Sequence, residues 1–281
     1  MITTIIDGRK LSKEILAGIK EEVATLPFQP IFCDVLVGDN PVSSQYVNMK
    51  RKKAEEIGIH FHEAFFPSDI TTENLVNEIG RLNKIPNMCG IIVQLPLPAS
   101  LDCRAVLDAI DQNLDVDCLG TVASEKFYND VTNMGFPTAL ACMGLLDSTG
   151  QGFDSSAGRY AVVMGFGDLV GKPVNALLKA RGFNPDVIRS KTENREILLK
   201  RADIIISGMG KGKYLKGEMI KEGAVIIDAG TSESDSGIVG DIDLESVKGI
   251  ASFVSPVPGG VGPMTIAMLF CNILKVAKKI L

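Results

Sequence analysis

A repeated alternation of short apolar runs with segments of helical periodicity constrains the fold more than any other feature. Apolar runs predict buried strands at 31–37, 59–65 and 90–94. Apolar residues at helical spacing predict helices at 11–24, 43–57, 73–82 and 101–110. A second series of strand-like runs lies at 160–164, 186–189, 203–207, 224–228 and 250–254. Alternating strands and helices form mostly parallel sheets covered on both faces, so the sequence predicts an α/β fold.

The spacing of these elements divides the 281 residues into two domains. A stretch from Asp115 to Pro137, interpreted as loops, separates the two series of strands. We therefore expect one domain at 1–138 and a second at 139–263. A Pro- and Gly-rich segment at 255–263, interpreted as neither helix nor strand, precedes an apolar segment that predicts a closing helix. We place that helix, residues 264–281, back on the first domain.

Charge and cysteine usage narrow the classes of partner. A net charge of -5 argues against a broad nucleic-acid or anionic-membrane surface, which requires a basic face. No apolar run approaches the roughly 18 residues of a membrane span, so no membrane association is expected. The six cysteines are scattered without a C-x-x-C pair, as is typical of reduced cytoplasmic thiols. His60 and His62 lack a nearby third ligand, so we expect no metal site.

A glycine-rich loop between a predicted strand and a predicted helix indicates a dinucleotide site. The strand at 160–164 runs into Gly165, Phe166 and Gly167, and Gly171 opens the helix. Glycines let the backbone approach a pyrophosphate, which the free N–H groups of the helix N-terminus stabilise. The alternative is an ordinary strand-to-helix turn. Because a strand precedes the loop and further strands follow, we interpret it as the dinucleotide loop.

The end of the next predicted strand indicates which dinucleotide binds. NAD sites usually place an acidic residue there, whereas the 2′-phosphate of NADP requires positive charge and hydroxyl donors. This chain has Arg189 and Ser190 at that place. The pattern favours NADP, with NAD still possible, and the alternative is a solvated basic turn.

Lys50 lies on the apolar side of a predicted helix. At about 100° per residue, Val47, Ala54 and Ile57 share one stripe, and Lys50 falls in its middle. Burial lowers a lysine's pKa and so allows proton transfer near neutral pH. A lysine that extends its amine into water is the alternative interpretation, and the residues alone leave both open.

Two further polar residues follow predicted secondary structure. Gln94 closes a buried strand, at the end where α/β proteins bind ligands. Asp117 lies in the loop after the helix at 101–110. The alternative for either residue is a structural role in capping its loop, which is common for Asp in turns.

Several long motifs together resemble one enzyme family. They are VGDNPVSSQYVNMK at 37–50, GIIVQLPLP at 90–98, DVD at 115–117, VGKP at 170–173, GDID at 240–243 and PVPGGVGPMT at 256–265. In this order they resemble the bifunctional methylenetetrahydrofolate dehydrogenase/methenyltetrahydrofolate cyclohydrolase family across nearly the whole chain.

The resemblance implies an N-terminal folate-binding domain, a Rossmann-like dinucleotide-binding domain and a homodimer. It assigns catalysis to Lys50, oriented by Gln94, and stacking on the pterin side to Tyr46. Asp117 would pair with the amide and amino donors of the pterin, because a carboxylate accepts two parallel bonds. It also implies that Pro258, Gly259 and Gly260 line the cleft beside the aminobenzoyl part of folate. The residues that it implies for dinucleotide binding are Gly165, Phe166, Gly167, Gly171, Arg189, Ser190 and Thr231.

The implied reaction oxidises a one-carbon unit on tetrahydrofolate with NADP and then hydrolyses the methenyl product, without a metal. This chain departs from the family pattern at Phe166, where arginine is usual, at Arg189, where histidine is usual, and at Cys118, where glycine is usual. Alternatives are an NAD-preferring or single-activity member of the family, another two-domain dehydrogenase, and a dinucleotide-binding sensor without turnover.

Overall fold

A computed structural model describes residues 1–131, 134–152, 158–234 and 237–281 of the chain. The chain divides into two compact units. The three-stranded unit comprises 14–137 and 269–281, and the six-stranded unit comprises 1–13 and 138–268. The strands are β1 (Thr4–Ile5), β2 (Ile31–Val37), β3 (His60–Phe66), β4 (Met88–Val93), β5 (Ala161–Met164), β6 (Asp186–Ile188), β7 (Ile204–Ser207), β8 (Val225–Asp228), β9 (Ser232–Ser234), β10 (Gly237–Val239) and β11 (Phe253–Val254). The helices are α1 (Gly8–Val23), α2 (Pro41–Glu56), α3 (Thr72–Leu82), α4 (Cys103–Asp108), α5 (Thr121–Asn129), α6 (Pro137–Asp147), α7 (Gly171–Ala180), α8 (Arg195–Arg201), α9 (Leu244–Val247) and α10 (Val261–Lys279).

The three-stranded unit is built on a parallel sheet with the order β3-β2-β4. Its central strand is almost entirely buried, as its apolar run predicts. Helix α2 begins where Asn40 accepts hydrogen bonds from the backbone N–H groups of Val42 and Ser43, both at 3.0 Å. The buried face of α2 carries Val47, Lys50 and Ala54, so the predicted helical stripe is confirmed.

The six-stranded unit contains a parallel sheet with the order β1-β11-β8-β7-β5-β6. The strands β5, β7 and β8 are fully buried, which fits their runs of Val and Ile. An antiparallel hairpin of β9 and β10 accompanies the sheet. The α/β fold with a Rossmann-like parallel sheet is therefore confirmed.

Several local expectations were wrong. The stretch 115–137 is not only loop, because it contains α5. The start of this helix is hard to predict from sequence, since its N-cap residue, Gly120, has no side chain that could form a capping hydrogen bond. Helix α10 begins at Val261, inside the segment interpreted as too rich in Pro and Gly for helix. Residues 1–13 belong to the six-stranded unit and not to the predicted first domain, because β1 pairs with β11.

Helix α10 also corrects the expectation that no run approaches membrane-spanning length. An 18-residue stretch of this helix has a mean hydropathy of 1.3, so length and composition alone would allow it to cross a membrane. More than half of it, 56%, is buried inside the protein. Phe270 contacts Phe32 of β2 edge to face, with ring centroids 5.7 Å apart. From Leu269 onward α10 belongs to the three-stranded unit, as expected for the closing helix.

The same helix fixes the loop that carries Asp117. Asn272 is fully buried, and its Nδ2 donates hydrogen bonds to the carbonyl oxygens of Val116 at 2.8 Å and Gly135 at 2.7 Å. Gly90 of β4 leaves the space for this packing, because a Cβ there would lie 2.9 Å from the side chains of Val116 and Ile273. Two donors of one buried amide thus hold the loop against α10.

We predict that Asn272→Ala lowers the free energy of unfolding by about 2–3 kcal/mol, because two buried carbonyls lose their donor and a small cavity remains. Urea denaturation followed by circular dichroism measures this change. Asn74→Ala, at an exposed position of α3, is the control and should stay within about 0.5 kcal/mol of wild type. An unchanged stability of the Asn272 variant would show that α10 does not depend on this amide.

Candidate active site

The centre of the three-stranded unit holds a buried ammonium group. Lys50 of α2 is only 8% exposed, so the interpretation that its amine extends into water is wrong. Its Nζ lies 2.6 Å from Oδ2 of Asp34 and donates a hydrogen bond of 2.9 Å to Oε1 of Gln94. Gln94 follows β4, and its amide donates to the carbonyl oxygen of Leu95 at 2.8 Å, which orients Oε1 toward the lysine. The structure therefore brings Lys50 and Gln94 together.

Asp34 is a member of this cluster that the sequence reasoning missed. It lies in the middle of β2, is 0% exposed, and has no hydrogen-bond donor at Oδ1 within the described part of the chain. Burial raises the pKa of its carboxyl group above the usual value, and the charge of Lys50 acts in the opposite direction. An acid inside an otherwise apolar strand run was the signal available in the sequence.

Asp117 is close enough to Lys50 and Asp34 for their charges to shift its pKa. Loss of solvation raises its pKa to about 7, an effect that Lys50 opposes and that Asp115 and Asp34 reinforce. Its loop is tightly built, because Asp115 Oδ2 accepts a hydrogen bond from the N–H of Gly120 at 2.7 Å. Cys118, which replaces the usual glycine, has φ 59°, in the left-handed region that favours glycine. Asp115, and not Asp117, has the capping role that sequence reasoning considered for Asp117.

Tyr46 lies one helical turn before Lys50 on α2. It is 41% exposed, which leaves a ring face open to solvent. Its predicted stacking on the pterin side is compatible with this position and stays a prediction.

The Pro-Gly-Gly segment belongs to the six-stranded unit. The peptide bond before Pro258 is cis, and Gly259 has φ 111°. A Cβ at Gly260 would lie 2.6 Å from the carbonyl oxygen of Pro256, and one at Gly8 would lie 2.1 Å from the carbonyl oxygen of Gly260. Only glycine fits at these contacts, so the segment has a fixed backbone shape at the start of α1. The predicted folate contacts of Pro258, Gly259 and Gly260 remain predictions.

The glycine loop between β5 and α7 has the geometry of a phosphate cradle. Gly165 has φ 89°, and a Cβ there would lie 2.5 Å from the carbonyl oxygen of Gly208. A Cβ at Gly171 would lie 2.3 Å from the carbonyl oxygen of Gly165. Gly167 is exposed with open space around its Cα. The loop thus admits only glycine where the chain turns and leaves its outer backbone accessible beside the start of α7.

Arg189 and Phe166 form a preassembled pair beside this loop. The guanidinium carbon of Arg189 lies 4.1 Å from the centroid of the Phe166 ring, a cation–π contact. Arg189 and Ser190 are both exposed after β6, and Thr231 is exposed after β8. Two of the three departures from the family pattern, Phe166 and Arg189, thus contact one another.

Two buried carboxylates that were not predicted from the sequence, Asp228 and Asp241, hold the ends of strands β7 and β8. Asp241 accepts hydrogen bonds from Ser207 Oγ and the Met209 N–H, both at 2.7 Å. Asp228 accepts from the N–H groups of Gly230, Asp241 and Ile242 at 3.0 Å. Burial raises the pKa of Asp228 to about 7 although these N–H groups lower it. These contacts fix the loops after β7 and β8, and the GDID motif was the available signal.

Comparison with known families matches both halves of the chain. The profile described as "Tetrahydrofolate dehydrogenase/cyclohydrolase, catalytic domain" matches residues 6–117. The profile described as "Tetrahydrofolate dehydrogenase/cyclohydrolase, NAD(P)-binding domain" matches residues 137–281. The Lys50 cluster lies in the first match and the glycine loop in the second.

Individual relatives match over the full length. The bifunctional protein FolD of Halothermothrix orenii is 42% identical over 279 residues, which cover 98% of each chain. The crystal structure of the bifunctional enzyme FolD from Campylobacter jejuni has a TM-score of 0.94 and 36% identity, covering 99% of this chain and all of that one. The methylenetetrahydrofolate dehydrogenase-cyclohydrolase from Trypanosoma brucei has a TM-score of 0.92 and 34% identity, covering 99% of this chain and 98% of that one. This chain is therefore a member of the tetrahydrofolate dehydrogenase/cyclohydrolase family.

Proposed function

We propose that this chain oxidises methylenetetrahydrofolate to methenyltetrahydrofolate with NADP and hydrolyses the product to formyltetrahydrofolate. The observation that carries the proposal is the buried Lys50, held by Asp34 and Gln94 inside the part that matches the catalytic-domain profile. A buried amine with fixed partners is suited to proton transfer, whereas an exposed lysine has no defined direction.

The dinucleotide unit fits a nicotinamide coenzyme on the geometry of its own residues. Gly165 and Gly171 allow the backbone to approach a pyrophosphate at the start of α7. Arg189 presents a guanidinium for a 2′-phosphate, and Ser190 and Thr231 offer hydroxyl groups. When bound, the coenzyme accepts a hydride. The relative from Trypanosoma brucei was solved with NADP, which supports the same coenzyme here.

The folate unit would bind and orient the one-carbon donor. Tyr46 would stack on the ring system, and Asp117 would accept two hydrogen bonds from the planar edge of the pterin. Because burial raises the pKa of Asp117 to about 7, the donors of the pterin would favour its ionised form on binding. The protein's contribution to hydride transfer is chiefly this alignment.

The hydrolytic step would depend on Lys50. Water adds to the methenyl carbon, and a carbon–nitrogen bond then opens to leave the formyl group. The Lys50 ammonium would donate a proton to the leaving nitrogen and recover one from the added hydroxyl group as the carbonyl forms, while one proton of the added water passes to solvent. Gln94 would keep Nζ in place through its hydrogen bond.

Assembly and location complete the proposal. All six cysteines are free thiols, which supports a reducing cytoplasm. The family resemblance supports a homodimer acting on tetrahydrofolate derivatives and not on nucleic acid or membranes.

One spectrophotometric experiment tests the function. The chain is mixed with methylenetetrahydrofolate and either coenzyme, and formation of the reduced coenzyme and of the methenyl compound is followed. The proposal predicts folate-dependent reduction of NADP and subsequent loss of the methenyl compound. Coenzyme reduction without folate would favour another dehydrogenase, and no turnover at all would favour a sensor.

We predict that Lys50→Met slows hydrolysis of the methenyl compound by at least about 100-fold, because general acid–base catalysis contributes at least that factor. Hydrolysis is measured by loss of methenyl absorbance, with circular dichroism as the check on folding. Lys52→Met on the exposed side of α2 is the control. Near-normal hydrolysis by the Lys50 variant would remove this residue from the proposed role.

We predict that Asp117→Ala raises the KM for the folate substrate by about tenfold or more and leaves the KM for the dinucleotide within about twofold, since charge-assisted hydrogen bonds are worth about 1.5–3 kcal/mol. Steady-state kinetics with each substrate varied measure both values. Asp69→Ala, an exposed loop substitution, is the control. Equal losses for the two substrates would indicate a damaged loop instead of a lost pterin contact.

We predict that Arg189→Ala raises the KM for NADP by about ten- to a hundredfold and changes that for NAD little, because it removes a charged hydrogen-bond donor. Initial rates with each coenzyme measure the effect, and Lys191→Ala at a neighbouring exposed position is the control. Better wild-type activity with NAD, together with an Arg189 variant indifferent to either coenzyme, would decide for an NAD enzyme.

A further inference from the structure

The carboxylate of Asp34 is placed to act directly on Lys50. It lies in the central strand β2 with no solvent exposure, and its ion-pair partner is Nζ of Lys50 at 2.6 Å. The same Nζ donates a hydrogen bond to Oε1 of Gln94, whose amide carries no net charge. Asp34 is thus the group in this cluster whose charge directly offsets that of the lysine.

The other ionisable groups around Asp34 do not offset the charge of Lys50 in its place. Glu63 of β3 is opposite Asp34 in the sheet register, but it is about half exposed and pairs with Arg51 at 2.5 Å. Asp117 is near enough for its pKa to be raised by Asp34 and lowered by Lys50, but within the described part of the chain the ion pair of Lys50 is with Asp34. Cys33, the preceding residue, has a raised pKa through burial and stays neutral.

The charge of the reacting carbon changes during the proposed reaction. The methylene compound is neutral at this carbon, whereas loss of a hydride leaves a methenyl cation. An uncompensated ammonium beside that cation would repel it, since the Coulomb energy of two charges is large where water is excluded. A site that uses a lysine on a cationic carbon therefore needs a negative charge close to the lysine.

We propose that Asp34 is a positioning residue that neutralises Lys50 and thereby allows the site to hold the cationic methenyl compound. This inference rests on the proposed function, because it assumes that Lys50 faces the one-carbon unit. It goes further in assigning a residue outside the motifs that carry the family resemblance. Asp34 acts through Lys50 and is not itself required to touch the substrate.

The inference predicts an effect that depends on substrate charge. In Asp34→Asn, the KM for the methenyl compound in hydrolysis rises about tenfold, since removing one nearby compensating charge is worth on the order of a tenfold change. The KM for the neutral methylene compound in coenzyme reduction stays within about twofold. The two values come from steady-state assays of the same protein preparation.

Two further variants separate charge from folding. Glu63→Gln removes the same charge from an exposed neighbouring position and should leave both KM values unchanged. Asp34→Val removes the carboxylate with a β-branched apolar side chain that suits a buried strand. Lys50 loses its partner in both Asp34 variants, so circular dichroism first checks that each is folded. Asp34→Val should show the same selective rise in the methenyl KM, because it too lacks the carboxylate.

The outcomes distinguish this inference from the proposed function. Absence of wild-type folate turnover, or full hydrolysis by Lys50→Met, would overturn the proposed function. An active wild type and an inactive Lys50→Met, combined with equal KM changes for both substrates in the folded Asp34 variants, would overturn the role of Asp34 alone. A selective rise in the methenyl KM supports it.

Discussion

The ion pair between Lys50 and Asp34 is the interaction on which the candidate site depends. Both groups lie in the interior of the three-stranded unit, where a charge without a partner is strongly unfavourable. Removal of one partner from a buried pair typically destabilises a protein by about 3–5 kcal/mol. The pair therefore fixes the position of α2 over β2 at the same time as it fixes the amine. With Nζ held in place, the amide oxygen of Gln94 accepts a hydrogen bond from a fixed donor.

Within each unit, the parallel sheet explains where several of the candidate site residues lie. Gln94 follows β4, the glycine loop follows β5, and Arg189 follows β6, so each stands at the carboxyl end of a strand. Side chains and loops at that end are not part of the strand ladder and are available for ligands. Buried polar contacts hold further loops of each unit: Asn272 holds the loop that carries Asp117, and Asp228 and Asp241 hold the loops after β7 and β8.

The sequence predicted the elements with strong periodicity and missed those without it. The stripe around Lys50 and the run of β2 are long and apolar, and both were located nearly to the residue. The paired strands β9 and β10 have three residues each and are largely exposed, and β1 has two residues, so neither gives an apolar pattern. Asp34 was missed for another reason. Its partner is 16 positions away, and the contact follows only when the packing of α2 on β2 is known.

The ionisation state of Asp34 tests the account most directly. Infrared difference spectra between wild type and Asp34→Asn, recorded near neutral pH with isotope-labelled aspartate, report whether this carboxyl group carries a proton. The account predicts that the band lost in the variant is that of an ionised carboxylate paired with Lys50. Loss of a protonated carboxyl band instead would contradict it, because a neutral Asp34 could not offset the charge of the lysine.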